Sequence, residues 1–478
     1  MAGTKKIKKV LVANRGEVAT RIIRACKELG IKTVAIYSEA DTKGIWVKKA
    51  DEAYMIPGDP IQAYLNFYKI VDLAKQTKCD AIHPGYGFLS ENAEFAEYCL
   101  KKGIIFIGPK PEHIALFGDK VASKKAMREV GVPVLPGTDE PIKDINEAKR
   151  VAKEIGFPVI IKAAYGGGGR GMRIVEKEED FEKLFESATN EAKKFFGKGD
   201  VFIEKYVKNP RHIEIQVMAD KYGNVIHLGE RDCSIQRRHQ KVVEIAPSPR
   251  LSEEVRRELY RVAVKAMFKL GYESVGTLEF LVDEDDNFYF IEMNTRLQVE
   301  HTVTETVTGV DLVQRMIQLA EGMKLPFLQE DIKFRGYAIE FRINAEDPAK
   351  DFAPSPGRIT SYYSPGGPGV RIDAAVYKDY IIPPYYDSMI AKLTVWALSW
   401  EQTVNRAKRA LDEFQVRGVP TNLPLLRQIV RDPDFMAGKF DTSYIDKKLP
   451  TFKLKPDKEN PEDLATVIAA AIAAYHRL

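Results

Sequence analysis

The sequence predicts an α/β protein of three domains. The chain has 478 residues, and domains average roughly 150 residues. Its N-terminal part alternates apolar strands with helical segments, which is typical of a doubly wound parallel sheet. Later segments contain antiparallel hairpins and a glycine-rich loop, followed by a region of strands with a long helix. We therefore expect a doubly wound N-terminal domain, a hairpin-rich middle domain and a C-terminal α+β domain.

The N-terminal domain, residues 1–118, is predicted from a βαβ pattern. A helix is expected at 18–29 because its apolar residues have helical spacing. Strands are expected at 9–13, 31–37, 81–82 and 104–107. Because helices connect successive strands, the strands should run parallel to one another.

The middle domain, residues 119–330, is predicted to be richer in hairpins. Helices are expected at 181–196 and 251–271, the second of them capped by Ser252. Strands are expected at 157–163, 172–175, 201–207, 213–219, 224–229, 276–282 and 287–293.

The C-terminal domain, residues 331–447, is predicted from a strand at 337–344 and a helix at 400–415. Residues 448–478 form a polar linker and a tail helix, which starts at Pro461 after the N-cap Asn460. Helical spacing gives the tail helix an apolar face made of Val467, Ile468, Ala471, Ile472 and Tyr475. The simpler interpretation is that this face packs on the chain's own surface; the alternative is that it docks a partner subunit.

Composition is that of an ordinary globular protein. Lys and Arg number 72 against 68 Asp and Glu, a net charge of +4, which is small for a nucleic-acid binder. The four cysteines are far apart, which predicts neither a disulfide framework nor a cysteine-based zinc site. The apolar stretches are too short for a signal peptide or a membrane span. We therefore expect a cytoplasmic protein without nucleic-acid or membrane partners.

A glycine-rich loop at 166–171 follows the strand that carries Lys162. Successive glycines let the backbone approach a ligand and present N–H groups to phosphates. The loop lacks the Lys-Ser/Thr of a P-loop, and a strand follows it where a dinucleotide fingerprint needs a helix. A lid at about 131–204 that closes over a nucleotide is favoured over a plain flexible turn.

Two carboxylates and an amide are predicted to meet on the hairpin at 276–294. If the turn centres near Asp285, Glu279 lies within about one residue of Glu292 on the adjacent strand. Asn294 shares the face of Glu292. Such oxygen ligands suit Mg²⁺. The apolar neighbours imply a buried sheet, which weakens the alternative of a solvated strand face.

Polar residues continue directly after this hairpin. An irregular segment contributes Arg296, Gln298 and Glu300. Upstream, Gln236 precedes a basic run at 237–241, which we place in a loop between a hairpin and a helix. Such a run is either a solvated surface or an anion site, and spacing alone favours neither.

Long motifs in the chain resemble those of the biotin carboxylase family. They include KVLVANRGEVATRIIRA, HPGYGFLSEN, IKAAYGGGGRGM, ERDCSIQRRHQKVVEIAP, GTLEF, FIEMNTRLQVEHTVTE and GYAIEFRINAEDP, and the resemblance covers about residues 5–445. It implies a biotin carboxylase N-terminal domain, an ATP-grasp domain with a mobile lid and a biotin carboxylase C-terminal domain. The implied activity is ATP-dependent carboxylation of biotin with bicarbonate.

The resemblance also implies roles for residues that match the family motifs. The implied ATP site contains Lys120, Lys162, Gly167, Gly168, Gly169, Glu204, Lys205, Tyr206, Val207, His212, Gln236, His239, Glu279 and Glu292. The implied ligands of Mg²⁺ or Mn²⁺ are Glu279, Glu292 and Asn294, in agreement with the hairpin. The implied bicarbonate site contains Lys241, Arg296, Gln298, Val299 and Glu300. Arg342 is implied to face biotin, and the implied catalytic residues are Arg296, Glu300, Lys241 and Arg342.

Partners follow from the same resemblance. The chain has no AMKM-type biotinylation sequence, so biotin is expected on a separate polypeptide, a biotin carrier or carboxyltransferase, and not attached to this chain. The tail is similar to that of the biotin carboxylase subunit of two-subunit pyruvate carboxylases. Acetyl-CoA carboxylase and 2-oxoglutarate carboxylase remain alternatives. The resemblance further implies a homodimer.

Other classes fit the residues less well. Another ATP-grasp ligase, such as half of a carbamoyl-phosphate synthetase or a purine-pathway carboxylase, would share the glycine loop and the metal hairpin but would not need RLQVEH together with FRINAEDP. An inactive nucleotide-binding protein would have lost metal ligands or the glutamate of RLQVEH. An RGG-like RNA binder would need more glycine clusters and a larger basic charge.

Overall fold

The computed structural model describes residues 5–163, 172–196, 200–454 and 461–476. The glycine-rich loop, with Gly167, Gly168 and Gly169, and the cap residue Asn460 lie outside these residues. Among the residues described, no helix has the length and apolar composition needed to cross a membrane.

The N-terminal region forms the parallel sheet that the sequence predicts, in the order β3-β2-β1-β4-β5. Its strands are β1 (Lys9–Val12), β2 (Lys32–Tyr37), β3 (Glu52–Met55), β4 (Ala81–His83) and β5 (Ile105–Phe106). Its helices are α1 (Gly16–Glu28), α2 (Ile45–Lys49), α3 (Gln62–Leu65), α4 (Phe67–Gln76), α5 (Ala93–Lys101) and α6 (Pro111–Gly118).

Alternate residues of β1 explain why this sheet is covered on both faces. Val10 and Val12 pack into a core with α1, whereas Leu11 packs into a core with α4 and α5. Side chains alternate between the faces of a strand, so a continuous apolar run requires a layer on each side. The doubly wound arrangement is therefore confirmed.

A small separate sheet forms the predicted lid region, in the order β7-β6-β8 with antiparallel neighbours. Its elements are β6 (Val159–Ala163), β7 (Met172–Val175), β8 (Val201–Lys205), α8 (Ile145–Ile155) and α9 (Phe181–Phe196), and α7 (Lys120–Glu129) precedes it. Ile161, Phe181 and Ile203 contribute to a core of its own. The last strand ends at Lys205, two residues before the predicted end.

A large sheet carries the candidate site, in the order β13-β12-β9-β10-β11-β14-β21-β19. Its elements up to residue 344 are β9 (Arg211–Ala219), β10 (Val225–Arg237), β11 (Gln240–Ala246), α10 (Glu253–Lys269), β12 (Ser274–Val282), β13 (Phe288–Asn294), α11 (His301–Thr308), α12 (Leu312–Ala320) and β14 (Tyr337–Asn344). Ser252 caps α10, as predicted, by accepting a hydrogen bond from the Val255 amide. The sheet continues across residue 330, where the sequence suggests a domain boundary.

The basic run at 237–241 lies in a hairpin of this sheet, and its prediction as a loop is wrong. Arg237 pairs with Gln240, and Gln236 pairs with Lys241, on β10 and β11. Arg238 and His239 form the turn with positive φ angles of 50° and 64°, the backbone that a two-residue hairpin turn requires. Lys241 is therefore held on a strand.

The C-terminal region adds two strands to the large sheet and packs helices against it. Its strands are β15 (Glu346–Asp347), β16 (Ala353–Pro354), β17 (Gly357–Arg358), β18 (Ser361–Tyr363), β19 (Val370–Ala374), β20 (Ile381–Ile382), β21 (Met389–Ala397) and β22 (Gln415–Arg417). Its helices are α13 (Trp400–Glu413), α14 (Leu423–Ile429), α15 (Pro433–Met436) and α16 (Tyr444–Lys448).

The predicted tail helix is present as α17 (Pro461–His476). Ile468 and Ile472 are exposed on it. The simpler prediction, that the apolar face packs on the chain's own surface, is therefore wrong at these two positions.

Candidate active site

A row of three glutamates crosses one face of the large sheet. Glu279 on β12 lies directly opposite Glu292 on β13 and opposite Glu214 on β9. The predicted pairing of Glu279 with Glu292 is therefore confirmed. The same face continues along β9, where His212, Glu214 and Gln216 alternate with apolar residues, because strand side chains alternate between faces. The row brings acidic groups into a buried environment.

Lys241 stands at the centre of this face. Its Nζ contacts a carboxylate oxygen of Glu214, lies 3.1 Å from Glu279 Oε1 and lies 2.9 Å from Glu300 Oε1. All three carboxylates are buried, and together with the lysine they form what we call the Lys241 cluster. Burial disfavours the charged form of Lys241, but the charges of Glu214, Glu279 and Glu300 raise the pKa of Lys241 well above its usual value. Lys241 is thus a fixed cation.

Glu300 connects the Lys241 cluster to Arg342. It lies at the N-cap of α11 and is fully buried. Arg342 Nη2 donates to Glu300 Oε2 over 3.0 Å, and Arg342 Nε donates to Glu244 Oε1 over 2.5 Å. Burial favours the neutral acid, but the charges of Lys241, Arg342 and Arg231 hold the pKa of Glu300 well below its usual value. An ionised Glu300 between two cations results.

Two neighbouring glutamates behave in the opposite way. Burial, followed by the charge of Glu300, raises the pKa of Glu214 to about 7 despite the opposing charge of Lys241. Burial raises the pKa of Glu244 to about 8 although Arg342 opposes the shift. Proximity of like charges makes simultaneous ionisation costly, so the site keeps its negative charge mainly on Glu300 and Glu279.

The segment after β13 is fastened by Arg296. Its Nη1 donates to Gln298 Oε1 and its Nη2 to Asn294 Oδ1, each over 2.8 Å. Its Nε donates to Glu91 Oε2 over 2.9 Å, which ties the segment to the N-terminal region. Arg296 therefore contacts two other predicted residues, Gln298 and Asn294.

The predicted metal ligands form a donor set that fits a hard cation. Glu279 Oε1 accepts from Asn294 Nδ2 over 2.6 Å and from Gln298 Nε2 over 2.9 Å. His212 Nε2 lies 2.7 Å from Glu279 Oε2. Burial, followed by the charge of Glu279, raises the pKa of Glu292, because two carboxylates stand side by side. Paired carboxylates and amide oxygens are the ligands that Mg²⁺ prefers. The Asn294 amide nitrogen faces Glu279, and its oxygen accepts a hydrogen bond from Arg296.

A second cluster lies on the lid side. Glu204 on β8 accepts hydrogen bonds from Lys124 Nζ and Lys162 Nζ, and we call these three residues the Glu204 cluster. Burial opposes ionisation, but the charges of Lys162 and Lys124 lower the pKa of Glu204 to about 2. Lys162 and Glu204 are both predicted at the nucleotide, and the structure joins them to each other.

The remaining predicted nucleotide residues belong to neither the Lys241 cluster nor the Glu204 cluster. Lys120 begins α7, and its charge acts on Glu292. Lys205 Nζ donates to the Gly156 and Phe157 carbonyls, and the Tyr206 amide donates to the Pro158 carbonyl. His239 is exposed in the hairpin turn, and Gln236 is buried beside Lys241 in register. Val207 follows the end of β8.

Several residues of the site were not predicted: Glu91, Lys124, Glu214, Arg231, Glu244 and Lys392. Arg231 is fully buried and donates to Glu214, Gln216, Thr277 and Thr304. For Glu214 a signal existed, since His212, Glu214 and Gln216 give β9 a polar face within an apolar strand. The others depend on contacts between distant segments, which no local pattern reveals.

Lys392 holds the backbone of the segment that is predicted to bind bicarbonate. It is fully buried on β21, opposite Arg342 on β14. Its Nζ donates to the Val299 carbonyl over 2.7 Å and lies 3.3 Å from Glu17 Oε1. The lysine thus fixes the backbone immediately before Glu300.

Three family models match consecutive parts of the chain. Residues 6–114 match "Biotin carboxylase, N-terminal domain", residues 119–328 match "Carbamoyl-phosphate synthase L chain, ATP binding domain", and residues 340–447 match "Biotin carboxylase C-terminal domain". Together they account for most of the chain.

Curated relatives cover the chain at high identity. The 2-oxoglutarate carboxylase small subunit of Hydrogenobacter thermophilus is 57% identical over 471 residues, 98% of this chain and 100% of that protein. A pyruvate carboxylase subunit of Methanothermobacter thermautotrophicus is 54% identical over 92% of this chain and 89% of its own length. The biotin carboxylase of Nostoc is 53% identical over 92% of this chain and 99% of its own length. The pyruvate carboxylase of Bacillus subtilis is 49% identical over 97% of this chain but only 41% of its own length.

A solved structure agrees with these relatives. The biotin carboxylase domain dimer of H. thermophilus 2-oxoglutarate carboxylase, in complex with MgADP, ADP and bicarbonate, is 58% identical and superposes with a TM-score of 0.88. The match covers 94% of this chain and 100% of that chain.

Proposed function

The chain belongs to the biotin carboxylase family of ATP-grasp ligases, and we propose that it carboxylates biotin held by a separate polypeptide. ATP supplies the energy and bicarbonate the carbon. The observation that carries the proposal is the position of Glu300 between Lys241 and Arg342, beside the paired carboxylates Glu279 and Glu292. The relative with MgADP and bicarbonate in its biotin carboxylase domain supports the same substrates here.

We assign the activation of bicarbonate to the Lys241 cluster. Bicarbonate is a poor electrophile, so its oxygen must first attack the γ-phosphate of ATP, giving carboxyphosphate and ADP. We assign Glu300 as the base that accepts the bicarbonate proton, because it is buried and ionised. Lys241 and Arg296, with Gln298 and the Val299 backbone, hold the anion in place. A fixed cation beside a developing negative charge stabilises the transition state without reorganisation.

Arg342 is assigned to the second step. The carboxyl group passes from carboxyphosphate to the ureido nitrogen of biotin, and the phosphate that leaves accepts the ureido proton. Charge then develops on the ureido oxygen. Arg342 offers a permanently charged guanidinium, and Glu244 and Glu300 orient it through two separate hydrogen bonds.

We assign the nucleotide to residues of the large sheet and of the lid region. Lys120 and Lys162 would contact phosphates, and Glu279, Glu292 and Asn294 would hold Mg²⁺ or Mn²⁺. When bound, the metal neutralises phosphate charge. We assign the remaining predicted nucleotide residues to the same nucleotide site: the glycines 167–169, Glu204, Lys205, Tyr206, Val207, His212, Gln236 and His239. We also propose domain boundaries near residues 118, 330 and 447.

We propose that the chain is the biotin carboxylase subunit of a two-subunit 2-oxo acid carboxylase. The sequence resemblance favours pyruvate as the acceptor, and the H. thermophilus relative favours 2-oxoglutarate. Nostoc biotin carboxylase keeps acetyl-CoA carboxylase as a further alternative. The acceptor is chosen by the carboxyltransferase, so these alternatives share one biotin carboxylase reaction. A homodimer is proposed by analogy with the dimeric relative.

The test is carboxylation by the purified chain with ATP, Mg²⁺ and bicarbonate. It should carboxylate free biotin slowly and an added biotinylated carrier much faster, because the carrier positions biotin. A streptavidin blot of the pure chain should be negative, and covalent biotin on this polypeptide would contradict the proposal. Purification from the native source identifies the biotinylated partner, and its transfer to pyruvate, 2-oxoglutarate or acetyl-CoA names the acceptor.

A further inference from the structure

The tail helix α17 exposes apolar side chains that the rest of the described structure leaves uncovered. Ile468 is 50% exposed and Ile472 is 53% exposed. These residues lie four apart, so they share one face of the helix. Two large aliphatic side chains, one helical turn apart, are therefore exposed to solvent.

The sequence of α17 makes this exposure unusual. Residues 464–475 contain no charged side chain, although a helix at a protein surface normally has a charged face toward water. A helix that is apolar nearly all round is typical of a buried element. Residues 464–475 therefore have the composition of a segment that becomes buried in a complex.

The lengths of the relatives indicate which complex. The small subunit of 2-oxoglutarate carboxylase aligns with 471 residues of this chain, so the alignment includes most of α17. The long pyruvate carboxylase of B. subtilis matches 97% of the chain as part of a larger protein. By contrast, Nostoc biotin carboxylase is matched over 99% of its length and still leaves 8% of this chain without a counterpart. The extra length is thus shared with the 2-oxoglutarate carboxylase small subunit and with the long pyruvate carboxylase. The pyruvate carboxylase subunit of M. thermautotrophicus matches 92% of this chain, over only 89% of its own length.

The dimeric relative argues against self-association as the role of this helix. Its chain is matched over its whole length, yet 6% of the present chain has no counterpart in that dimer. Dimerisation of a biotin carboxylase domain therefore does not require the full length of this chain.

We infer that the Ile468–Ile472 face of α17 docks on the polypeptide that carries biotin and the carboxyltransferase. This inference rests on the proposed function and names the surface through which the two subunits assemble. Docking would hold the carrier near the Lys241 cluster at a high effective concentration. Apolar anchors at the centre of an interface supply most of its binding energy.

The test replaces both anchors by a charge, in the double variant Ile468→Glu with Ile472→Glu. Leu100→Glu is the matched control, since Leu100 is also an aliphatic side chain on a helix and is 53% exposed. The probe is the biotinylated carboxyltransferase polypeptide, identified from the native source by streptavidin capture and then expressed. Binding is measured by calorimetry, and bicarbonate-dependent ATP hydrolysis with free biotin is measured in parallel.

We expect the double variant to bind this polypeptide at least about tenfold more weakly, while the wild type and Leu100→Glu bind equally. Hydrolysis of ATP with free biotin should be unchanged in all three proteins. Wild-type affinity in the double variant would overturn the inference. So would a change from dimer to monomer in the double variant, which would assign the face to a second copy. Absence of biotin carboxylation by the wild type would instead contradict the proposed function.

Discussion

The Lys241 cluster and the Glu204 cluster are both built from lysines and glutamates, but they differ in burial and balance. Around Lys241, three buried carboxylates surround one cation, and Arg231 and Arg342 add further positive charge. Around Glu204, two partly exposed lysines share one carboxylate. The first cluster is a network with many partners for each group, whereas the second is a pair of lysines held by one acceptor.

The difference teaches which part of the site is fixed and which must change. Charges in a buried network are held in place by one another and need little reorganisation during a reaction. We expect Lys162 to exchange Glu204 for phosphate oxygens when ATP binds, while Lys124 stays with Glu204. We therefore expect the Lys241 cluster to decide the chemistry and the Glu204 cluster to decide nucleotide affinity.

The largest expected effect is a loss of activity that affects different steps in variants of Glu300 and of Arg342. Glu300→Gln should lower bicarbonate-dependent ATP hydrolysis by about 10²- to 10⁴-fold, because it removes the base without changing side-chain volume. Arg342→Ala should retain more of this hydrolysis and lose carboxylation of biotin. Both activities are measured on both variants, by ADP release and by carboxybiotin formation. Equal residual activities in both assays would contradict the assignment of the two residues to different steps.

The next largest expected effect is on kcat/KM for ATP, and it should differ between the two lysines of the Glu204 cluster. Lys162→Met should lower kcat/KM for ATP by roughly 10- to 100-fold, since a charged hydrogen bond to phosphate is lost. Lys124→Met is the matched control, because it removes the other donor to Glu204 and should change kcat/KM much less. If the two variants lose the same activity, neutralisation of Glu204 and not phosphate binding explains the role of Lys162.

Hydrogen exchange measures the contrast in rigidity directly. Amides of β6 and β7 should exchange more slowly when ATP and Mg²⁺ are bound, because lids commonly close over phosphoryl transfer. Amides of β12, in the middle of the large sheet, should change little and serve as the internal reference. Unchanged exchange in β6 and β7 at saturating nucleotide would show that the lid region does not close.

The last expected effect is on stability and not on activity, and it concerns the pH dependence of Glu244. Its pKa is about 8 in the folded protein against an ordinary 4.5, so between these values the folded state holds a proton that the unfolded state releases. Stability contributed by this group therefore falls as pH rises through that window. Relative to the wild type, Glu244→Gln should gain unfolding free energy as pH rises from 6 to 8, by at most about 1.4 kcal/mol per pH unit. Urea titrations at both pH values check this, and a pH-independent difference would contradict it.

Local patterns were sufficient for much of the fold and for part of the site. The strand at Lys9–Val12, the helix at Phe181–Phe196 and the pairing of Glu279 with Glu292 follow from apolar periodicity and a short turn. The prediction that the basic run lies in a loop was wrong. Arg238 and His239 adopt positive φ, and because neither is a glycine, the sequence contains no residue that indicates a hairpin turn there.

The sequence by itself determined which groups the chain can offer: long motifs identified the family, and alternation on single strands placed acidic groups on a buried face. Only the tertiary structure decided how those groups are paired. Glu91 reaches Arg296, Lys392 reaches Val299 and Arg342 reaches Glu300 across separations of 205, 93 and 42 residues. Such pairs form because burial makes an unpaired charge costly, and burial is a property of the assembled sheet and not of any one segment.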